Sequence, residues 1–453
     1  MRPVLAREKS KVKVGYVQVL QQNSNFRNLW YGQLISSAGD WFNNVALLGL
    51  VLQLTGNGFA AGLVLIANSL PLFLLTPLAG PIVDRFDRRK VMLVANFFGA
   101  VFALSFLFIR DNNTVWIAYV GTALLVSTAA FFNPAAGAIT PTIVRKEELF
   151  AASALSSSAW GIMVMIGSGL GGLVSALLGR DLVFGLNALS FLLSNLLIWQ
   201  VKLPIKLSIS EKVTTGPKAK SSTWADFVTG LNYIKRHPAA IALLGVKSGW
   251  AWAGGVIALF AVFGGQIFKL GDAGIGLLFA ARGGGALLGP FLVRPLGQGK
   301  ISLMRWTICA SFLLSGLGYL LFGFSEGLGV WLALISLLIG HSGGGNNWIT
   351  STILLQEFVP NRLLGRVLSF DVGLTTLSTA ISTLIFSAAL QNGISPVTLA
   401  YVGAAIFTTY GLLWMSLTVL PAFRINQQSM QDMKEEPALP IKVETKAKRS
   451  LVE

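Results

Sequence analysis

Long apolar runs separated by short polar connections make up most of this 453-residue chain. A helix needs about 20 apolar residues to cross the roughly 30 Å apolar core of a bilayer. Because the runs are continuous rather than alternating, they favour helices over the strands of a membrane barrel. The pattern predicts an all-α membrane protein with twelve transmembrane helices. The predicted spans lie at about 28–54, 58–82, 90–110, 114–134, 147–178, 181–201, 239–264, 272–294, 301–323, 328–356, 364–391 and 394–420.

The connection at 202–238 is the longest and divides the spans into two groups of six. Similar segments follow spans 4 and 10, namely VRKEELFAASALS and VPNRLLGRVLS. Both features predict two pseudo-symmetric six-helix bundles with a site between them. The predicted parts are a cytoplasmic N-terminal segment (1–27), the N-terminal bundle (28–201), a cytoplasmic linker (202–238) with a short amphipathic surface helix at 224–236, the C-terminal bundle (239–420) and a disordered cytoplasmic tail (421–453).

Lysine and arginine are distributed very unevenly between the two sides of the predicted bundles. With the N-terminus in the cytoplasm, 30 of the 35 basic residues fall on the cytoplasmic side, three fall on the other side and two lie inside spans. This bias predicts that both termini are cytoplasmic. It also accounts for the net charge of +16 through contact with anionic lipid headgroups, so we expect no nucleic acid partner.

The composition argues against catalysis and against metal chemistry. Only 12% of the residues are charged, the mean hydropathy is +0.67, and the chain has one cysteine and two histidines. Such counts make a metal centre improbable. Glycine-rich runs lie inside apolar spans without the lysine of a phosphate-binding loop, so they indicate close helix packing. We therefore expect no enzyme activity and no cofactor, and any energy must come from an ion gradient.

The segment GPIVDRFDRRK at 80–90 is unusually charged for a connection between two spans. Gly80 and Asp84 are one helical turn apart, so the glycine can admit a neighbouring helix while the carboxylate faces it. A carboxylate at that level suits the N-terminus of another helix. This predicts a conformational latch, although the bases could also serve only to set topology. Its expected members are Gly80, Asp84, Arg85, Arg88 and Arg89.

Span 1 carries a polar stripe on one face. Asp40 lies some ten residues into the span, which is about 15 Å of rise and close to the membrane midplane. An acid at that depth should face water or a partner, and it can take up and release a proton. We predict that Asp40 couples proton movement, with a structural hydrogen bond near Gly39 as the alternative. The stripe consists of Gln33, Ser36, Ser37, Asp40, Asn43 and Asn44.

Two further charged residues lie inside spans of the second half. Asp371 in span 11 shares a face with hydroxyl residues and is a second candidate for proton coupling, or it forms a plain salt bridge with Arg366. Arg282 in span 8 needs an anion, which could be Asp371, Asp40 or a bound substrate. Lys247 is close enough to the cytoplasmic surface to extend its ammonium into water.

Other polar and aromatic residues inside spans could line a substrate cavity, since polar groups at membrane depth are usually functional. Aromatic walls with a few polar groups suit small amphipathic compounds. The alternative for each is helix packing. The predicted cavity residues are Asn43, Asn44, Asn133, Trp250, Arg282, His341, Asn346 and Asn347.

The loop between spans 2 and 3 resembles the signature of the major facilitator superfamily, which has Gly, then Asp-Arg, a small residue and two bases. Gly80, Asp84, Arg85, Arg88, Arg89 and Lys90 match it, while Asp87 stands where the family usually has Gly. Three segments also look like the macrolide-efflux and enterobactin-exporter-like drug:proton antiporters of that family. They are SSAGDWFNNVAL, FFNPAAGAITPTIVRKEELFAASAL and LLQEFVPNRLLGRVLS.

The resemblance covers roughly residues 25–420 and implies a monomeric transporter of the bacterial plasma membrane. It implies export of a small amphipathic compound (a drug, siderophore or metabolite) in exchange for protons, by alternating access between the two halves. It further implies that the latch at Asp84 meets the start of span 11, near residues 362–365, and holds the outward-open state. The alternative is uptake or facilitated diffusion by the same fold, because the direction rests on the resemblance alone.

Overall fold

The computed structural model describes residues 15–203, 223–297 and 301–419. Within these residues, twelve long helical segments correspond to the twelve predicted spans, and a short helix precedes each half. Ten of the segments are long and apolar enough to cross a membrane by length and composition alone; the two long helices outside that group are α2 and α13. The helices are α1 Tyr16–Gln22, α2 Ser24–Thr55, α3 Gly58–Arg85, α4 Arg88–Ser105, α5 Trp116–Ile143, α6 Leu149–Leu178, α7 Arg180–Trp199, α8 Thr223–Arg236, α9 Pro238–Trp252, α10 Leu259–Val262, α11 Gly271–Gly297, α12 Ile301–Leu328, α13 Val330–Phe358, α14 Asn361–Gln391 and α15 Pro396–Val419.

Side-chain caps explain why the connections in the first half are so short. Asn57 accepts a hydrogen bond from the Phe59 amide (2.8 Å), directly after Gly56 ends α2 with a positive φ of 64°. Asp87 accepts one from the Lys90 amide (2.9 Å) and so begins α4. Such caps satisfy amides that have no partner within a helix. The aspartate that departs from the family signature therefore has a local structural role.

The seventh span is not a continuous α-helix. After α9 the chain forms a 3₁₀ turn at Gly254–Ala258, the short α10 and a π turn at Phe263–Ile267. Ser382 of α14 donates a hydrogen bond to the Trp252 carbonyl (2.6 Å) and accepts one from the Gly255 amide (2.9 Å). A broken helix is tolerated at membrane depth when a neighbouring side chain satisfies the freed backbone groups. The irregular stretch is thereby held against α14.

The two halves meet along two helix pairs, α6 with α11 and α3 with α14. Small residues allow the backbones to approach, as is common between membrane helices. A Cβ atom on Gly276 of α11 would lie 2.5 Å from the Ser168 carbonyl oxygen of α6, and one on Gly62 of α3 would lie 1.8 Å from Ser387 Oγ of α14. Bulky side chains at either glycine would therefore separate the halves.

The halves are joined by an ion pair at what we call the Arg180 end, which holds the connections at 55–58, 178–180 and 267–271. Asp272 of α11 accepts hydrogen bonds from Arg180 Nε and Nη2 (2.7 Å each) and from Ser175 Oγ (2.5 Å). Arg180 Nη1 also donates to Gln53 Oε1 (2.6 Å). The carboxylate sits so close to α2 that a Cβ on Gly49 would lie 1.8 Å from Asp272 Oδ1. The interface between the two halves is therefore closed at the Arg180 end.

We expect that breaking the Arg180–Asp272 pair shifts the protein towards a state open at the Arg180 end. The change Asp272→Asn leaves Arg180 without its counter-ion, which weakens the closed state. In a Cys309→Ser background, a Val262→Cys reporter facing Gly58 should react with an impermeant maleimide about tenfold faster, the change that about 1.4 kcal/mol produces. The exchange of Arg180→Asp and Asp272→Arg together should restore slow labelling.

The control is Asp181→Asn, which removes an exposed carboxylate that pairs with Arg110 (2.8 Å) beside the same connection. It should leave the labelling rate unchanged, because that pair lies within one half. Equal labelling of the wild-type and Asp272→Asn forms of the reporter would show that the pair does not hold this end closed.

The predicted amphipathic helix of the linker is present as α8, close to the expected residues 224–236. Gly230 of α8 is buried, and a Cβ there would lie 3.2 Å from Arg366 Cβ and 3.1 Å from the Phe370 ring of α14. The helix therefore packs against the first turns of α14. Most of the linker (204–222), most of the N-terminal segment and the tail after 419 lie outside the described residues.

Candidate functional site

A cavity of about 360 Å³ lies between the two halves and takes its wall from both. The first half contributes faces of α2, α3, α5 and α6, and the second half contributes residues from the broken seventh span, α11 and α14. The polar lining residues are Ser37, Asp40, Asn43, Asn44, Asn68, Ser69, Thr122, Asn133, Arg282, Thr379 and Thr383. The apolar ones are Trp41, Leu47, Leu65, Leu72, Leu125, Val126, Ala129, Trp160, Ile257 and Phe279.

Four residues of the polar stripe of α2 line this cavity, namely Ser37, Asp40, Asn43 and Asn44, whereas Gln33 and Ser36 are not among its lining residues. The Oδ1 atoms of Asp40, Asn43 and Asn44 are buried and have no hydrogen-bond partner among the described residues. Asn187 of α7 is the polar side chain that faces the Asp40 carboxyl. Buried polar atoms in folded proteins normally have a partner. Three unpartnered acceptors on one wall therefore indicate a surface that binds water or a polar ligand.

Arg282 of α11 enters the cavity from the opposite half. Its guanidinium carbon lies 5.5 Å from the Trp160 ring, 5.9 Å from the Phe279 ring and 6.0 Å from the Trp41 ring. Its Nε is buried without a hydrogen-bond partner. Cation–π contacts of this kind offset part of the cost of holding the charge away from water. In the described part of the chain, no carboxylate lies within ion-pair distance of Arg282.

Asp371 does not line the cavity. It lies deeper in the second half, where it forms a buried ion pair with Lys247 of α9. The Lys247 ammonium also donates to Thr352 Oγ1 (2.8 Å) and lies 4.9 Å from the Trp348 ring. The expectation that Lys247 extends into water was wrong, because a carboxylate and a hydroxyl satisfy it inside the bundle. The partner of Asp371 is likewise Lys247, in place of the alternatives Arg366 and Arg282.

Four predicted cavity residues lie instead in the packed interior of the second half. His341 Nε2 shares a hydrogen bond with the Tyr319 hydroxyl (2.8 Å), and the Trp250 ring packs edge-on against His341 at 5.5 Å. Asn346 donates to Ser311 Oγ (2.7 Å) and joins α13 to α12. Asn347 is buried in α13, with no partner for its amide among the described residues. None of the four is among the residues that line the cavity between the halves, and His341, Trp250 and Asn346 contact other helices of the second half instead.

The comparisons with known proteins decide the family. The model of the Major Facilitator Superfamily matches residues 29–383. The chain belongs to this superfamily. Among its relatives in the superfamily, the uncharacterized MFS-type transporter YfiS of Bacillus subtilis is 26% identical over 372 residues, which cover 80% of this chain and 85% of that protein. Macrolide efflux protein A of Streptococcus pyogenes is 22% identical over 377 residues, which cover 82% and 90%.

Solved structures show the same superfamily fold. A crystal structure of a bacterial homologue of the iron transporter ferroportin, in an inward-facing state, superposes with a TM-score of 0.64 at 18% identity and covers 86% of this chain and 98% of that one. The predicted family and fold class are confirmed. The protein is a multi-pass membrane transporter of the Major Facilitator Superfamily, with relatives that are named as efflux proteins.

The superfamily signature at 80–90 makes no contact between halves through its glycine in this structure. A Cβ on Gly80 would meet nothing within 4 Å, so the expected close approach of a neighbouring helix is absent. Arg85 is exposed, Arg88 is half-buried, and Arg89 donates a hydrogen bond to the Trp199 carbonyl of α7. The side chain of Asp84 lies outside the described residues. The halves are joined at the Arg180 end, which explains why the approach at Gly80 is not made.

The cavity between the halves also includes residues that the sequence analysis did not single out. Trp41 and Trp160 border Arg282, and their rings lie 6.4 Å apart. Asn68 and Ser69 of α3 and the threonines of α14 complete the polar lining. Asn68 and Ser69 form a short polar interruption in an apolar span, which is a signal that could have been used. The tryptophans carry no such signal, because aromatic residues are common throughout the spans.

Proposed function

We propose that this transporter exports small amphipathic compounds in exchange for protons, by alternating access of the cavity between the two halves. The observation that carries the proposal is the Asp40 carboxyl, which lines a cavity shared by both halves and has an unpartnered buried oxygen. A titratable acid at membrane depth that faces a cavity is a default site for proton exchange. Substrate and proton would then occupy the same cavity in turn.

Asp40 is the better of the two candidate acids. Asp371 is engaged by the Lys247 ammonium and the cavity does not reach it, so its charge is already balanced within one half. Asp40 has no basic partner within ion-pair distance among the described residues. A proton or a cationic group of the substrate can therefore balance the charge of Asp40. We assign coupling to Asp40 and a structural role to Asp371.

Different observations support the proposed direction of transport and the proposed orientation. Export is supported by relatives named as efflux proteins, such as macrolide efflux protein A. The bias of basic residues supports cytoplasmic termini in a bacterial plasma membrane, with the basic loops against anionic headgroups and no nucleic acid partner. We further propose that the chain acts as a monomer and without a cofactor, driven by the proton gradient.

The Arg180 end and the signature loop would alternate during transport. In the observed state the Arg180–Asp272 pair joins the halves, and a Cβ on Gly80 at the other end would meet nothing within 4 Å. In the opposite state the pair would separate, and Asp84 would meet the start of α14, where the helix dipole favours a carboxylate. In this proposal a charged contact between the halves stabilises each state.

The test uses inverted membrane vesicles from cells that overproduce the chain, with an acidic lumen and a panel of antibiotics, siderophores and dyes. We expect at least one compound to accumulate in the lumen and to leave when a protonophore dissipates the gradient. A gradient of one pH unit supports about tenfold accumulation at one-for-one exchange, since one unit is worth about 1.4 kcal/mol. Equal uptake with and without the gradient would favour the alternative, a facilitated-diffusion carrier.

A further inference from the structure

Arg282, like Asp40, is a buried charge without a counter-ion among the described residues, whereas the other buried charges inside the bundle are paired. Lys247 is paired with Asp371, and Asp272 is paired with Arg180. Three aromatic rings surround the Arg282 guanidinium, and its buried Nε lacks an acceptor among the described residues. A charge held away from water without a partner is costly, so it normally shifts position or binds an anion. Here the position is set by the α11 backbone, which packs closely against α6.

The close packing of α11 fixes Arg282 in place. Its neighbour Gly283 lies against α6, where a Cβ on Gly283 would be 2.5 Å from the Met165 amide nitrogen. Gly285 lies against α13, where a Cβ would be 2.5 Å from the Leu338 carbonyl oxygen. The helix is thus held on both sides and presents Arg282 to the cavity. A ligand, rather than a shift of the helix, must supply the missing anion.

Asp40 presents the opposite charge to the same cavity. Its Oδ1 is unpartnered, and Asp40 and Arg282 do not form an ion pair with each other. The two charges therefore stand apart on walls that belong to different halves. Their sum is zero, so a solute that balances both must carry one positive and one negative group. A solute with a single charge would leave one of the two protein charges unbalanced.

The surface near Arg282 is apolar and aromatic. Trp41, Trp160 and Phe279 surround the guanidinium, and Leu65, Leu72 and Leu125 also line the cavity. Apolar walls with a few placed polar groups hold the body of a small ligand, while the polar groups fix its orientation. The volume of about 360 Å³ is near the lower end of the range for such sites, which is about 300–1,000 Å³.

We propose that the cavity selects amphoteric solutes: a carboxylate binds Arg282, an amine binds Asp40, and an apolar or aromatic body lies between them. This inference rests on the proposed function, since it concerns the same cavity and narrows its substrate class. The guanidinium fork suits a carboxylate because two parallel N–H groups can donate to its two oxygens. The amine and a proton compete for Asp40, whereas the carboxylate site on Arg282 does not take part in the exchange.

The experiment measures binding rather than transport, with four forms of one dipeptide body. The first probe is alanyl-phenylalanine, which carries both charges. Its methyl ester carries only the positive charge, and its N-acetyl form carries only the negative charge. The N-acetyl methyl ester carries neither charge. Thermal unfolding of the purified full-length chain in detergent reports binding, because a ligand that binds the folded state stabilises it. We expect the doubly charged form to bind at least about tenfold more tightly than either singly charged form, in line with charged hydrogen bonds.

Variants then assign each charge to its residue. Arg282→Gln should abolish the preference for the free carboxylate over the methyl ester and keep the preference for the free amine. Asp40→Asn should abolish the preference for the free amine and keep that for the carboxylate. Arg282→Lys should retain part of the carboxylate preference. The control Arg110→Gln removes an exposed guanidinium outside the cavity and should leave all four affinities unchanged.

The inference is overturned if the doubly charged form stabilises the protein no more than the neutral form does, a result that includes no binding by either. It is also overturned if Arg282→Gln weakens all four forms equally, which would indicate a structural role for the arginine. Failure here is separate from failure of proton coupling. Gradient-driven export in vesicles can persist when the binding pattern is wrong, and the binding pattern can hold in a carrier that is not coupled to protons.

Discussion

An Asp40→Asn variant is expected to lose gradient-driven accumulation while still exchanging substrate for substrate. In vesicles with a gradient of one pH unit, accumulation should fall from about tenfold to the equilibrium level, because the amide cannot carry the exchanged proton. Asp40 lines the cavity beside Asn43 and Asn44, so the isosteric amide keeps its shape. Counterflow of labelled substrate against unlabelled substrate needs binding and alternating access but no exchanged proton, so it should persist at concentrations that saturate the altered site.

The matched control for this variant is Asp181→Asn, which removes one carboxylate from an exposed pair with Arg110. It should retain both gradient-driven accumulation and counterflow. If Asp40→Asn accumulates substrate as well as the wild type does, Asp40 is not the coupling residue. If it loses counterflow as well, the carboxylate is needed for substrate binding or folding rather than for coupling alone.

Separating the buried pair of Lys247 and Asp371 is expected to be strongly destabilising. Either Asp371→Leu or Lys247→Met alone leaves one buried charge without its partner, which costs about 3–5 kcal/mol. The double variant replaces the pair by apolar side chains of similar volume, and this exchange is often nearly neutral. Thermal unfolding of the purified protein should therefore show strongly lowered melting temperatures for the two single variants and a melting temperature close to that of the wild type for the double variant.

The double variant also tests the assignment of the proton. If Asp371 has only a structural role, the double variant should accumulate substrate in the vesicle assay as the wild type does. Loss of gradient-driven accumulation in a stable double variant would show that Asp371 takes part in coupling. Additive destabilisation by the two single changes would show that Lys247 and Asp371 do not interact energetically, since neighbours that interact deviate from additivity.

Apolar run length was enough to predict the twelve helices, because the thickness of the bilayer fixes how many apolar residues a span needs. The polar stripe of α2 was also predictable, since its residues recur at helical spacing and a helix in lipid must turn polar groups inward. The placement of Asp40, Asn43, Asn44, Asn133 and Arg282 around one cavity agrees with that reasoning. Periodicity identifies the face of a helix that avoids lipid.

Periodicity does not identify which neighbour that face meets. His341, Asn346 and Asn347 also lie on an inward face, yet that face meets other helices of the same half, where Tyr319 and Ser311 are partners of His341 and Asn346. The pair of Lys247 and Asp371 joins residues that are 124 positions apart. The sequence gives each charge a depth in the membrane, but the pairing depends on how helices pack.

The pair of Arg180 and Asp272 was missed for a related reason. Both residues lie at the ends of spans, where a charge usually faces water. Arg180 was therefore considered only in the count of basic residues on the two sides of the membrane. In the structure Asp272 is 5% exposed, because Gly49 leaves room for its carboxylate against α2. The sequence signal for this pair was Gly49, a small residue among larger apolar residues of α2. Gly49 indicates a close approach by another group, but only the packing of α11 shows that this group is the Asp272 carboxylate.

The most direct test of the central claim, that substrate and proton compete for Asp40 in the shared cavity, is proton release on binding. A compound that the vesicle assay shows to be transported is added to purified protein in weakly buffered detergent solution, and a pH indicator records the change. Because binding and protonation are reciprocally linked, the account predicts release of about one proton per molecule bound by the wild type and none by Asp40→Asn. Binding without proton release, or equal release by both proteins, would contradict it.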